Sequence, residues 1–417
     1  MAAGMSGPEA EPLEVELTGA AYGGEAVGRD QAGRVIFVPH ALAGERVKAV
    51  PVDSHRRWVR TSLQEVVRPA GNRVAPRCQH YGTCGGCHYQ HMDYASQLKV
   101  KQQIVQEQLE RLGGLKDVEV QPTLASPSPW AYRNRVRFHL TPEGRPGFVT
   151  AGREGTFPVE ACHLPDPALE DLRKRLDFDS ASAIESVELR RDDTGHEMVI
   201  LRADGPPESF VETESSGSVV WIAPQGTWFL SGGGPLIYHV LDQEFVVSPD
   251  SFFQVNSLAL PLLVGTVMDA LRPSSDQLVL DLYAGVGLFS RFAAVAGASV
   301  VAVEESPSAA GDFEVNLDPF PGVTLYEAEV EQALPAIASG PLSVVADPPR
   351  AGLGATVVAE LLAHRPARIV YISCDPATFA RDAARLADRG YHLVSTQPID
   401  LFPQTFHIEI VSVWLPN

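Results

Sequence analysis

A chain of 417 residues accommodates two or three domains at roughly 150 residues each. With 45% apolar and 20% charged residues it is globular in composition, which excludes the disordered and fibrous classes. A formal net charge of −19 argues against nucleic-acid binding over the whole surface, and no apolar run reaches the roughly 18–20 residues that span a bilayer. Met1–Glu16 lacks the basic start and apolar stretch of a secretory signal, and five cysteines, clustered and odd in number, do not make a disulfide scaffold. A cytoplasmic protein without membrane contact is expected.

Residues 1–11 read as a disordered start. Residues 12–69 read as a small OB-like barrel: Leu13–Leu17, Arg34–Pro39, Glu45–Val52 and Thr61–Val67 are strand-like, with turns at Gly23-Gly24, Gly28, Gly33 and Gly44. Residues 70–247 form a central region, with a cysteine-rich loop, a polar helix from about Tyr94 to Leu112, and short strands that predict a mostly antiparallel sheet. From residue 248 to 417 strands and helices alternate, which implies a mainly parallel, doubly wound sheet. Charge is uneven: Gly44–Arg77 holds eight basic residues against three acidic ones, and Trp130–Arg153 holds five against Glu143. Either island reads as a phosphate-tracking surface or as an ordinary solvated face.

The strand Leu278–Leu282 runs into Asp281-x3-Gly285-x-Gly287 and then a helix, placing two glycines where a ligand approaches the backbone. Glu304, 17 residues beyond Gly287, ends the next strand and can accept the two hydrogen bonds of a ribose diol. Dinucleotide sites share this logic, but Ser290 replaces the third glycine, which better suits S-adenosylmethionine, a ligand without a pyrophosphate. Asp347-Pro348-Pro349-Arg350 stiffens the loop after the next strand and aims Asp347 into the cleft, unless it is a plain structural turn.

Cys374 follows another sheet strand. A lone cysteine is often inert core, but at a strand's carboxyl end beside a cofactor cleft it reads as a nucleophile. The chemistry that needs both parts is methylation of a pyrimidine at carbon 5. Thiolate addition to carbon 6 gives carbon 5 carbanion character, and a base must then remove the carbon-5 proton. Glu409 is the candidate base and His407 the runner-up, since a spacing of two would put both on one face of a strand. Cys78-x5-Cys84-x2-Cys87 with Cys162 uses four of the five cysteines. Four thiolates hold a [4Fe–4S] cluster or, as the weaker alternative, zinc.

Taken together, Cys78–His91, Phe252–Asn256, Asp281–Gly287, Asp347–Arg350, Ser373–Pro376 and Thr405–Glu409 resemble the S-adenosylmethionine-dependent RNA uracil-5-methyltransferases. The branch that they resemble most is the iron–sulfur, TRAM-containing 23S ribosomal RNA enzymes. The resemblance implies an α/β fold: a class I (Rossmann-like) methyltransferase domain, an N-terminal TRAM barrel and a central mostly antiparallel sheet bearing the cluster. It further implies that Gln254, Tyr283, Glu304 and Asp347, with Glu329, line the cofactor pocket alongside Gly285 and Gly287, that Cys374 is the nucleophile and that Glu409 is the proton acceptor. Leu288, Gln404 and Ala284 depart from the residues common in relatives.

The implied partner is RNA with an unstacked uridine, most readily 23S rRNA, and Arg133, Asn134 and Arg135 are candidate contacts. A transfer-RNA uracil-5-methyltransferase, a non-catalytic iron–sulfur RNA-binding protein and a dinucleotide oxidoreductase are the competing readings.

Overall fold

The computed structural model describes residues 11–152, 155–176, 178, 183–207, 217–337 and 342–417. Of the expected disordered start, residues 1–10 lie outside the described residues, as does Arg153 of the second basic island. Alternating apolar and polar residues build the first unit. β1 (Leu13–Ala20), β2 (Ala26–Arg29), β3 (Val35–Val38), β4 (Arg46–Ser54) and β5 (Trp58–Arg68) close into a barrel in the order β1-β2-β3-β5-β4. Val15, Leu17, Ile36, Val38, Val47, Ala49 and Val59 fill its interior, as period-two side chains must in a closed sheet. Gly28, expected at a turn, lies inside β2 instead. A Cβ there would come within 2.4 Å of the Glu16 carbonyl oxygen, so this glycine marks a close approach of two strands.

The cysteine-rich loop follows, and Asp93 caps α1 (Tyr94–Arg111) by accepting from the Ser96 amide. The central sheet is built from β6 (Arg135–Leu140), β7 (Pro146–Val149), β8 (Thr156–Pro158), β9 (Ile184–Arg191), β10 (Glu197–Ala203), β11 (Ser218–Ala223) and β12 (Gly226–Ser231). Its order is β12-β11-β10-β9-β6-β7-β8, antiparallel throughout except for the β10–β11 pair. Between β8 and β9, α2 (Pro167–Arg175) packs Leu169 and Leu172 onto it. A separate hairpin, β13 (Leu236–Val240) with β14 (Gln243–Val247), leads onward.

The last unit alternates as expected: α3 (Leu260–Leu271), β15 (Leu278–Leu282), α4 (Leu288–Val295), β16 (Ser299–Glu304), α5 (Pro307–Leu317), β17 (Val323–Glu327), α6 (Val330–Ala333), β18 (Leu342–Ala346), α7 (Gly354–Ala363), β19 (Arg368–Ser373), α8 (Pro376–Ala387), β20 (Tyr391–Ile399) and β21 (Glu409–Pro416). The sheet order is β17-β16-β15-β18-β19-β21-β20, and β21 alone runs against its neighbours. Val279 and Val345 face α3, α4 and α5 on one side, while Leu280 and Val344 face α7, α8 and α1 on the other. Sequence reading missed β17 and β20. Both are edge strands, half exposed, and β20 carries Ser395, Thr396, Gln397 and Pro398 where a buried strand would be apolar. Among the described residues no helix is long and apolar enough to cross a membrane.

Candidate active site

Strand order reverses between β15 and β18, which opens a crevice at the carboxyl ends of the parallel strands. Asp281, the penultimate residue of β15, is fully buried. Its Oδ2 accepts from the Ser290 hydroxyl at 2.7 Å, while its Oδ1 has no hydrogen-bond partner among the described residues. Burial raises this carboxyl to about 7, against the pull of the Ser290 hydrogen bond. Ser290, the residue that stands in for a third glycine, thus pins the acid beneath the turn.

The turn itself is left-handed at Tyr283, Gly285 and Gly287, with φ of 62°, 56° and 89°. The two glycines do different work. A Cβ at Gly285 would meet nothing within 4 Å, so the backbone there faces open cleft. A Cβ at Gly287 would lie 2.4 Å from Leu317 Cδ2 and 2.9 Å from Phe313 Cδ2, so the lack of a side chain there admits α5. Glu304 closes the site: its Oε2 accepts from the Gly285 amide and its Oε1 from the Ser306 amide, each at 2.8 Å. Each oxygen keeps a lone pair for a diol.

Asp347 follows β18, and desolvation raises its carboxyl to about 7. The loop after it is locked by a residue that sequence reasoning missed. Asp382 of α8, fully buried, accepts from the Leu353 amide at 2.8 Å and the Tyr371 hydroxyl at 2.9 Å. Apart from Arg385 on its own helix, its partners lie on two other segments, the stretch before α7 and β19, so the local sequence does not mark it.

Cys374 follows β19, partly buried, and Asp375 caps α8 through the Thr378 amide at 2.8 Å. Burial first, then the charges of Glu409 and Asp347, pushes the Cys374 thiol up to about 12, opposed by Arg350. Glu409 reaches this edge because β21 is antiparallel: its first residue lies beside the last residues of β19, with Ser373 opposite Ile410. Burial and the Asp347 charge hold the Glu409 carboxyl well above its usual range.

His407 does not share a strand face with Glu409, since it precedes β21 in an irregular loop. Its burial and the Arg350 charge lower the imidazole to about 3, which makes it a poor proton acceptor. Lys101 of α1, also missed, holds that loop: its fully buried ammonium donates to Asp400 at 2.6 Å and to the carbonyls of Phe402 and His407 at 3.1 and 2.8 Å.

Two further expected pocket residues differ in burial. Glu329 is exposed at the start of α6 and its carboxylate accepts from the Gln332 side chain. Gln254 is half-buried, its carbonyl held by the Asn134 amide group at 3.1 Å. The candidate RNA contacts also differ. Asn134 is buried and ties the central sheet to the 251–257 segment, and the half-buried Arg133 lies near Cys87 and Cys162. Arg135 is half-buried too, its guanidinium 5.1 Å from the centroid of the exposed Phe252 ring.

Cys78, Cys84, Cys87 and Cys162 line one pocket of about 570 Å³, while Cys374 lies elsewhere. Burial pushes the Cys87 thiol up to about 12 and that of Cys162 to about 11. Among the described residues, no three His, Cys, Asp or Glu side chains converge closely enough to hold a single metal ion.

A family model described as tRNA (Uracil-5-)-methyltransferase matches residues 341–417, and one described as the TRAM domain matches residues 10–55. The chain is 32% identical to an RNA methyltransferase of Streptomyces avermitilis, over 97% of this chain and 98% of the relative. It is 30% identical to an RNA methyltransferase of Thermosynechococcus vestitus, over 96% of this chain and 97% of the relative. Among solved structures it is similar to the Pyrococcus abyssi tRNA (uracil-54, C5)-methyltransferase in complex with S-adenosyl-L-homocysteine. The TM-score is 0.74 at 23% identity, covering 97% of this chain and 100% of that chain, a likeness of fold.

Proposed function

This chain belongs to the RNA uracil-5-methyltransferases that carry a TRAM domain, and from that premise we propose that it methylates carbon 5 of a uridine through Cys374 and Glu409. The observation that carries the reading is the meeting of a thiol and a buried carboxyl at one strand edge, beside a cleft with an open glycine. S-adenosylmethionine, when bound, supplies the methyl group. The residues that would hold it are Asp281, Gly285, Glu304 and Asp347, and the unpartnered Asp281 Oδ1 and the open space over Gly285 fit such a ligand.

Cys374 sulfur adds to carbon 6 of the uracil, and the ring's electrons move onto the carbon-4 oxygen and carbon 5. Carbon 5 takes the methyl group. Glu409 then accepts the carbon-5 proton, the carbon–sulfur bond breaks and the thiolate leaves. A carboxylate held above its usual range is the stronger base for that step. Arg350 is the group that favours ionisation of Cys374 before attack. The target base must leave its stack for carbon 6 to be reached.

The four cysteines suit a [4Fe–4S] cluster better than zinc. One zinc draws its thiolates to about 2.3 Å from a single point, whereas a cluster takes one thiolate at each corner of a larger body. All four line one pocket, and a single Cys-x2-Cys knuckle with a distant fourth cysteine favours the latter. Large-subunit ribosomal RNA is the substrate that the barrel and this loop together favour. Transfer RNA is the second reading, since the family model that matches residues 341–417 is that of tRNA (Uracil-5-)-methyltransferases.

RNA containing 5-fluorouridine lacks the proton that Glu409 removes, so it should remain bonded to Cys374 in the presence of the cofactor. A mass-shifted Cys374 peptide is expected, and none from Cys374→Ala. Absence of the adduct in the unaltered enzyme overturns the mechanism. Mapping 5-methyluridine in 23S rRNA and tRNA from a deletion strain separates the substrates.

A further inference from the structure

The barrel's first loop reaches the nucleophile. Tyr22, between β1 and β2, donates its hydroxyl to Asp375 Oδ2 at 3.0 Å, a contact spanning 353 positions of chain. Its ring stands edge-on to Phe406, with centroids 5.4 Å apart and planes at 89°. The loop is a tight turn, with the Ala21 amide donating to the Glu25 carbonyl at 2.8 Å. It is pressed against the segment that leaves the cysteine loop: a Cβ on Gly24, at φ +93°, would lie 2.9 Å from His88 Cβ. Asp375 directly follows Cys374 and gives its other oxygen to the Thr378 amide at the start of α8. Helix and barrel therefore grip the two oxygens of one carboxylate.

We propose that Tyr22 is a positioning residue for the reaction: its phenol holds Asp375, and with it the turn that presents Cys374. The barrel then helps to prepare the nucleophile as well as to hold RNA. This inference rests on the reading of Cys374 as the nucleophile.

The groups that face Cys374 are Asp375 on its own turn, Glu409 from β21, and Asp347 with Arg350 from the loop after β18. Tyr22 faces it from the barrel. Three carboxylates oppose the thiolate and one guanidinium favours it. A phenol dipole aimed at Asp375 offsets part of that carboxylate's field and fixes its rotamer. Burial holds the phenol proton in place, so Tyr22 remains a donor across the neutral range. Without the hydroxyl, Asp375 has one oxygen released and the turn has one restraint fewer.

Tyr22→Phe keeps the ring and removes only the hydroxyl. In the full chain, kcat is expected to fall about tenfold, the lower end of the effect of one hydrogen bond to a charged group, with the RNA KM held within about twofold. The pH midpoint for iodoacetamide labelling of the Cys374 peptide, measured without RNA, is expected to move upward. Asp375→Asn keeps the cap and removes the charge, so adding Tyr22→Phe to it should change kcat little further.

An unchanged labelling profile, additive effects of the two substitutions, or a raised KM at constant kcat overturns the proposal. Cys374→Ala distinguishes the two readings. Retained methylation there removes the nucleophile itself, whereas lost methylation beside an unaffected Tyr22→Phe removes only the role of Tyr22.

Discussion

Asp347, Glu409 and Asp375 crowd Cys374, and the crowding has consequences for stability as well as for rate. Glu409 is buried near a like charge, so its folded pKa lies above that of the unfolded chain. A carboxyl shifted this way contributes fully below its unfolded pKa of about 4.3, and that contribution is lost as pH rises through the folded value. Glutamine has no charge to desolvate. Glu409→Gln should therefore melt higher than the unaltered protein, with the gap widening from pH 5 to pH 8, at roughly 2–4 °C for each kcal/mol. Methylation should fall at least about a hundredfold, the contribution of a positioned base. Thermal melts at both pH values check the first expectation, and a gap that does not depend on pH contradicts it. Cys374, Glu409 and Glu304 were legible as chemistry because each sits at a strand end in a local motif. Asp382 and Lys101 were not, since only their distant partners reveal what they do.

Elements explain why neighbouring residues of one motif have different duties. In the turn between β15 and α4, Gly285 faces the cleft and Gly287 faces α5. Gly287→Ala adds a methyl group 2.4 Å from Leu317 at a left-handed φ, and should destabilise the fold by about 3 kcal/mol in urea titration. Gly285→Ala pays only the left-handed term, about 1 kcal/mol, but places its methyl in open cleft. Calorimetric titration with S-adenosylhomocysteine should show the weaker affinity in Gly285→Ala. Equal destabilisation by both, or full affinity in Gly285→Ala, would contradict the division. The direction of β21 matters in the same way. A parallel last strand would carry Glu409 to the opposite edge of the sheet, away from Cys374.

The whole molecule links its three units around the catalytic loop. The His88 and Tyr89 amides, just past Cys87, donate to the Gln404 carbonyl at 2.8 and 3.0 Å. Gln97 donates to Gln404 Oε1 at 3.0 Å, and Lys101 anchors the same stretch. On the reading that the cysteine pocket holds an iron–sulfur cluster, removing iron from an anaerobically prepared enzyme should speed hydrogen exchange at the His88 and Tyr89 amides, while β15 and β18 stay protected. Unchanged exchange at those two amides would mean that α1 alone secures the loop.

From residue order alone came the barrel, the doubly wound sheet and the separation of Cys374 from the other four cysteines. Each of these depends on periodicity or on motifs a few residues long. Tertiary structure decided the rest: which glycine packs against α5, which acid locks a loop and how a tyrosine near the start reaches Asp375. Those outcomes depend on contacts between segments far apart in the chain, and no local pattern encodes which distant partner a side chain will find.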